Sequence, residues 1–186
     1  FPTIDPNNPY ELTEDERAVM NSLSASIINS ERLQTHIRYM FSHGALYKRI
    51  NGNLLFHGCI PMDENGDFLP VDIYGAKCAG RALMDHLDKQ IRASYFSPEK
   101  IKKYGKPGDL MWYLWLAKDS PLFGKEKMTT FERLFIDDKA SHKEHVRPYY
   151  KLINSKEPCE KILREFGLDP SHSKILNGHV PVKIKN

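Results

Sequence analysis

Cysteine is scarce in this chain: Cys59, Cys78 and Cys159 are its only three, odd in number and without Cys-x-x-Cys spacing. That excludes a disulfide framework and points to a reducing compartment, so the expected location is cytoplasmic. Long hydrophobic runs are missing as well. The most apolar stretch, Leu110 to Leu116, is seven residues against the ~20 that cross a bilayer as a helix, so no membrane partner is expected. Charge of one sign is not in excess either, with 27 Lys+Arg against 24 Asp+Glu and a net charge of +3. The concentrated basic footprint of a dedicated nucleic-acid binder is absent, and no nucleic-acid partner is expected. Repeats and low-complexity segments are missing too. What remains is an ordinary chain of 186 residues, 40% hydrophobic, long enough to bury about 70% of the surface it exposes when unfolded. The expectation is a single domain over 1–186, α+β in class, with amphipathic helices around a small β-sheet.

Local signals supply the elements. Thr13-Glu-Asp-Glu16 is a capping box, in which hydroxyl and carboxylate satisfy free backbone N–H groups at a helix start. Val19, Met20, Leu23 and Ile27 form that helix's apolar stripe. Asn29-Ser30 reads as a break and a fresh cap, Leu33, Ile37, Met40 and Phe41 mark a second helix ending at Gly44, and the two suggest a hairpin. Asn51-Gly52, between β-rich runs at 45–50 and 53–56, predicts a type I′ turn. Ala79, Leu83, Leu87, Ile91 and Tyr95 recur every four residues and predict a helix with one buried face, leaving Asp85, His86, Asp88 and Lys89 on or near the solvent side. Asp109 is a candidate cap for a helix over 111–115, whose tryptophans read as core. Pro158 suits the first turn of a helix that stops at Gly167.

Chemistry concentrates in two places. Asn53-Leu-Leu-Phe-His-Gly-Cys-Ile-Pro61 and Lys174-Ile-Leu-Asn-Gly-His-Val-Pro-Val182 each run an apolar strand into a turn that presents one histidine. His57 and His179 are 122 residues apart, so only the fold can bring them together, as it does for ligands of a metal site; a lone strand-end histidine is otherwise structural or solvent-facing. The second place is 128–151, where Arg133, Lys139, Lys143, Arg147 and Lys151 gather near Thr129, Thr130 and His142. Interleaved Asp137, Asp138 and Glu144 also fit a solvated face of mixed charge. Two apparent motifs fail on spacing. Asp63-Glu-Asn-Gly-Asp67 has Gly fourth rather than sixth and Tyr74 at its twelfth position, so it is a turn and not a calcium loop. His142-Lys-Glu-His145 matches neither zinc-protease spacing.

Several strings, Asn29-Ser-Glu-Arg-Leu, Leu54-Leu-Phe-His-Gly-Cys-Ile-Pro, Asp109-Leu-Met-Trp-Tyr-Leu-Trp, Met128-Thr-Thr-Phe-Glu-Arg and Asn177-Gly-His-Val-Pro-Val-Lys, resemble in order and wording the class III fructose-1,6-bisphosphatases of bacteria, within the calcineurin-like metallophosphoesterases. That superfamily also uses Asp-x-His, Gly-Asp-x-x-Asp and Gly-Asn-His-Asp/Glu motifs, none of which occurs here. Pro181 stands where many relatives carry a second histidine. The resemblance therefore implies an interior fragment, the C-terminal part of a metallophosphatase catalytic region with a helical insert, whose sheet continues into a calcineurin-like α/β sandwich.

The resemblance also implies the chemistry. The complete enzyme would remove the 1-phosphate of fructose 1,6-bisphosphate at a dinuclear centre of divalent metal, Mn2+ or a similar ion. His57 and His179 would hold one of the ions together with an Asn and a bridging Asp that this chain lacks. Arg133 and Lys139 would meet the phosphate that is not at the metals, because planar guanidinium and ammonium groups suit phosphate oxygens. No residue here makes a nucleophile and base set, so no catalytic residue is assigned; the chain alone is expected to be inactive and its ion weakly held or absent. The competing expectation is a regulatory domain whose basic segment 133–151 binds a phosphorylated effector or partner, with structural histidines. Oligomeric state is left open.

Overall fold

The structure, a computed structural model, describes residues 3–98 and 106–179. Pro181 lies outside the described residues. The chain divides into two compact units, 1–44 and 45–186.

In the first unit, helices α1 (Glu14–Ile28) and α2 (Glu31–His43) follow one another across Asn29-Ser30. The capping box forms in both directions, with Glu16 N donating to Thr13 Oγ1 at 3.3 Å and Thr13 N to Glu16 Oε2 at 2.9 Å. Ser30 Oγ accepts from Leu33 N, and Gly44 ends α2. The apolar stripe of α1 is present but unburied: Val19, Met20, Leu23 and Ile27 are all exposed. A two-helix unit has no second layer in which to bury such a stripe.

The second unit is built on a three-stranded sheet of order β1-β2-β5 (Tyr47–Ile50, Asn53–Phe56 and Ile175–Asn177). Strand β1 pairs with β2 antiparallel through the Asn51-Gly52 turn, whose φ values of 51° and 75° are both positive as a type I′ turn requires. Strand β5 returns parallel to β2, pairing Leu54 with Ile175 and Phe56 with Asn177. Because side chains alternate along a strand, Leu54 and Phe56 point inward. They join Ile60, Met62, Leu83, Leu87, Tyr149, Ile162 and Phe166 in one core. A separate hairpin, β3 (Val71–Ile73) and β4 (Ala76–Cys78), turns at Tyr74-Gly75 and leads into α3 (Gly80–Tyr95). Helix α6 (Tyr149–Leu152) brings Tyr149 into the core, α7 (Lys156–Glu165) supplies Ile162 and Leu163, and Gly167 at φ 70° releases the chain toward β5.

Three sequence expectations shift, and one on Pro158 holds. Asp109 lies in the first turn of α4 (Lys106–Leu116) rather than capping it, since the helix begins upstream of the apolar run. In that helix Leu110 and Leu114 are buried, whereas Trp112 and Trp115 stack on each other at 5.4 Å on the exposed side; helical periodicity leaves no room for the whole run in the core. Asp88 is not a solvent-facing residue, because its carboxylate accepts from Leu46 N at 3.1 Å and pairs with Arg92 at 2.8 Å. Pro158 is the third residue of α7, still inside its first turn.

Candidate functional site

Parallel pairing of β2 with β5 sends both strands out of the sheet side by side, and each ends in a histidine-bearing turn. The turns are bonded to one another: Gly178 N donates to His57 O at 2.9 Å, and Asn177 Nδ2 donates to Gly58 O at 3.2 Å. At the other end of the pair, Lys174 N donates to Asn53 Oδ1 and Leu54 N to Lys174 O, each at 2.9 Å. The result is that His57 Nε2 and His179 Nδ1 lie 3.2 Å apart, with their rings 5.1 Å between centroids and 74° between planes.

His179 is held in the left-handed region at φ 67°, a backbone conformation that costs a non-glycine residue energy and concentrates at functional sites. Its pKa is lowered, first by desolvation, then by His57 and by the Lys125 charge, while a hydrogen bond from its ring to the Phe123 backbone works in the opposite direction. The neutral imidazole is therefore favoured, which is the form that binds a metal. Two nitrogens 3.2 Å apart subtend an angle of about 100° at an ion about 2.1 Å from each. That lies between octahedral and tetrahedral geometry, so the pair fits two positions on one ion. Among the described residues no group of three or more His, Cys, Asp or Glu side chains converges.

The remaining wall is a loop that carried no signal in the sequence. Cys59 N donates to Pro121 O at 2.8 Å, and a Cβ on Gly58 would stand 2.3 Å from that same oxygen. Gly124, at φ 63°, turns the chain over Tyr150, whose hydroxyl leaves no space for a Cβ. Cys59 itself is buried and its thiol is pushed up to about 12 by desolvation, which makes it a packing group and not a nucleophile.

Beyond this loop the basic segment closes on itself. Thr129, fully buried, gives its N–H and its hydroxyl to Glu144 Oε1 at 3.0 and 2.9 Å, and Lys125 Nζ meets Glu144 Oε2 at 2.9 Å. Arg133, in the short helix α5 (Thr130–Phe135), directs Nε to Thr129 Oγ1 and Nη2 to His142 O. Lys139 is exposed in the loop that follows. These bonds hold the Glu144 carboxyl down at about 2, with Lys125 the largest cause and the Thr129 N–H next. A carboxyl whose folded pKa lies below its ordinary 4.5 stabilises the fold fully above about pH 4.5 and loses that contribution as the pH falls toward 2. Melting curves of the wild-type chain should accordingly show a steeper loss of stability between pH 4.5 and 2 than those of Glu144→Gln; equal slopes would mean that the clamp contributes nothing.

Comparison with known proteins shows the family of the chain. A family model described as Firmicute fructose-1,6-bisphosphatase matches residues 1–186. The chain belongs to that family. Among curated relatives, a fructose-1,6-bisphosphatase class 3 from Clostridium acetobutylicum is 53% identical over 186 residues, covering all of this chain and 28% of the relative. Proteins of the same name from Clostridium botulinum strain Alaska E43 and Fusobacterium nucleatum are 52% and 49% identical, again over the whole chain and over 28% and 29% of their own length. This member of the fructose-1,6-bisphosphatase family thus spans a little over a quarter of the relatives it matches. No solved structure matches it. No helix among the described residues is long and apolar enough to cross a membrane.

Proposed function

We propose that in a full-length polypeptide of this family the chain supplies two metal-ligand histidines, His57 and His179, to a fructose 1,6-bisphosphate 1-phosphatase. The supporting observation is the 3.2 Å approach of His57 Nε2 to His179 Nδ1 across neighbouring strand ends. A divalent ion, Mn2+ or a similar metal, supplies Lewis acidity toward the phosphoryl oxygens and a lowered pKa for bound water. What the chain does is hold two imidazole nitrogens at a fixed angle, through strand ladders and turn-to-turn hydrogen bonds that a ligand does not have to organise. Remaining ligands, among them carboxylates that offset the ion's charge, come from outside this chain. Arg133 uses two of its five donors on Thr129 and His142; the others, with Lys139, are proposed to meet the distal phosphate. The β1-β2-β5 sheet is proposed to continue into a calcineurin-like sandwich, with residues 1–186 belonging to the C-terminal part of a cytoplasmic catalytic region.

The reading is tested by supplementing the purified 186-residue chain with Mn2+ and fructose 1,6-bisphosphate. No phosphate release is expected, whereas a full-length family member turns over under the same conditions. Two imidazoles leave a divalent cation's charge uncompensated, so turnover by the chain alone would show that this account of the site is wrong.

A further inference from the structure

We propose that Asn53 and Asn177 are positioning residues for the histidine pair: through side-chain hydrogen bonds at the two ends of the β2-β5 ladder they set the register of β5, and with it the spacing of His57 and His179. The proposal rests on the metal-site reading above and adds to it the groups that fix the geometry of the pair.

The parallel ladder that carries both histidines is short, three residue pairs from Leu54 with Ile175 to Phe56 with Asn177. Its backbone is bonded at both ends, Leu54 N to Lys174 O and Gly178 N to His57 O, each at 2.9 Å. Such bonds hold two strands together, but every residue offers the same N–H and C=O, so they do not distinguish one register from the next. Register is ordinarily set by which side chains must be buried. That signal is weak in β5, where Ile175 is half-buried and Leu176 and Asn177 are exposed. A slip of one residue would exchange one aliphatic side chain for its neighbour, and would carry His179 about 3.3 Å along the strand. A shift as large as the 3.2 Å between His57 Nε2 and His179 Nδ1 ends their shared reach to one ion.

Two side chains remove the ambiguity. At the start of the ladder Lys174 N donates to Asn53 Oδ1 at 2.9 Å, while Asn53 Nδ2 donates to Asn51 O at 3.2 Å. The second bond decides which end of the carboxamide carries the oxygen, so the Asn51-Gly52 turn aims the acceptor at β5. At the far end Asn177 Nδ2 donates to Gly58 O at 3.2 Å. That acceptor is itself held, because Gly58 is buried and Cys59 N donates to Pro121 O at 2.8 Å. The two clasps run in opposite senses: a β2 side chain takes a backbone N–H of the returning chain, and a β5 side chain takes a backbone oxygen just beyond β2. A slip of β5 by one residue breaks both. Asn53 stands four residues before His57, about 13 Å of extended chain, so its influence on an ion at the pair passes through the register and not through contact.

The test uses a full-length family member and reads Mn2+ affinity together with hydrogen exchange of the Gly178 N–H in the metal-free protein. Asn53→Leu and Asn177→Leu, similar in size but without the amide, should each raise the Mn2+ dissociation constant about tenfold, as for groups that orient a metal ligand. Each should also speed Gly178 exchange about tenfold, because the bond to His57 O opens more readily. Asn53→Asp should bring both values to within about threefold of wild type, since a carboxylate oxygen still accepts from Lys174 N. Unchanged Mn2+ affinity in either leucine variant would overturn the proposal even if its melting temperature fell, because that asparagine would then stabilise the ladder without setting the pair. Unchanged Gly178 exchange would overturn it too, as would an Asn53→Asp variant no better than Asn53→Leu. Should Asn53→Leu fail to fold, Asn53→Val, which suits a strand, gives the same readings. The metal-site reading fails separately: it falls if His57→Ala and His179→Ala keep their Mn2+, and Gly178 exchange then decides by itself whether the asparagines set the register.

Discussion

Replacing either His57 or His179 with alanine in a full-length family member lowers metal-dependent turnover by at least about 100-fold, and the bound metal falls with it. The size follows from removing a ligand outright, since disturbing even the groups that orient a ligand typically costs 10 to 100-fold in affinity or activity. Stability should change far less. The strands that carry the histidines are held by the β1-β2-β5 ladder and by Leu54 and Phe56 in the core, and neither contribution includes an imidazole. Elemental analysis, steady-state rates and thermal melting on the same preparations separate the two effects. Full activity and full metal content in both variants would remove the histidines from the centre.

A single methyl group at Gly58 should do nearly as much damage by another route. Its Cβ would fall 2.3 Å from Pro121 O and 3.1 Å from Leu122 O, both backbone atoms that cannot rotate away. The loop must then retreat, and with it goes the Cys59 N to Pro121 O hydrogen bond that ties it to the histidine turn. Gly58→Ala is expected to cost about 2 kcal/mol of stability, in the range for overpacking, and to weaken metal binding by about 10 to 100-fold as the His57 turn, bonded through Gly58 O to Asn177, shifts with it. Gly52→Ala is the control. It meets nothing within 4 Å, although its φ of 75° is strained for alanine, so it should cost about 1 kcal/mol and leave metal affinity intact. Equal metal affinity in both variants would show that the loop does not shape the site.

Legibility in the sequence was uneven, for physical reasons that individual residues make plain. The Thr13 capping box and the Asn51-Gly52 turn form as expected, because each is a contact between residues within a few positions of one another. Helix α3 follows its four-residue repeat, with Leu83 and Leu87 fully buried. Burial was less predictable than periodicity. The stripe of α1 and the pair Trp112 and Trp115 have the composition of core and stay exposed, since a pattern states which face is apolar and not whether a neighbour covers it. The sequence marked Thr129 and Glu144 within a basic segment but not their clamp with Lys125: its residues lie up to 19 positions apart, and its charges are of the kind that usually belongs to a solvated surface.

The sequence by itself determined the local elements, the α+β class, and the two histidine-bearing turns as the place to look. It also carried the family strings, whose match to residues 1–186 needs no coordinates. Tertiary structure alone decided that residues 122 positions apart meet at 3.2 Å. That follows from the parallel return of β5 onto β2, a pairing across most of the chain that no local propensity encodes. The same long-range packing set Pro121 against the turn that carries His57, with Cys59 N donating to Pro121 O, because a buried backbone must find its hydrogen-bond partners wherever the fold supplies them.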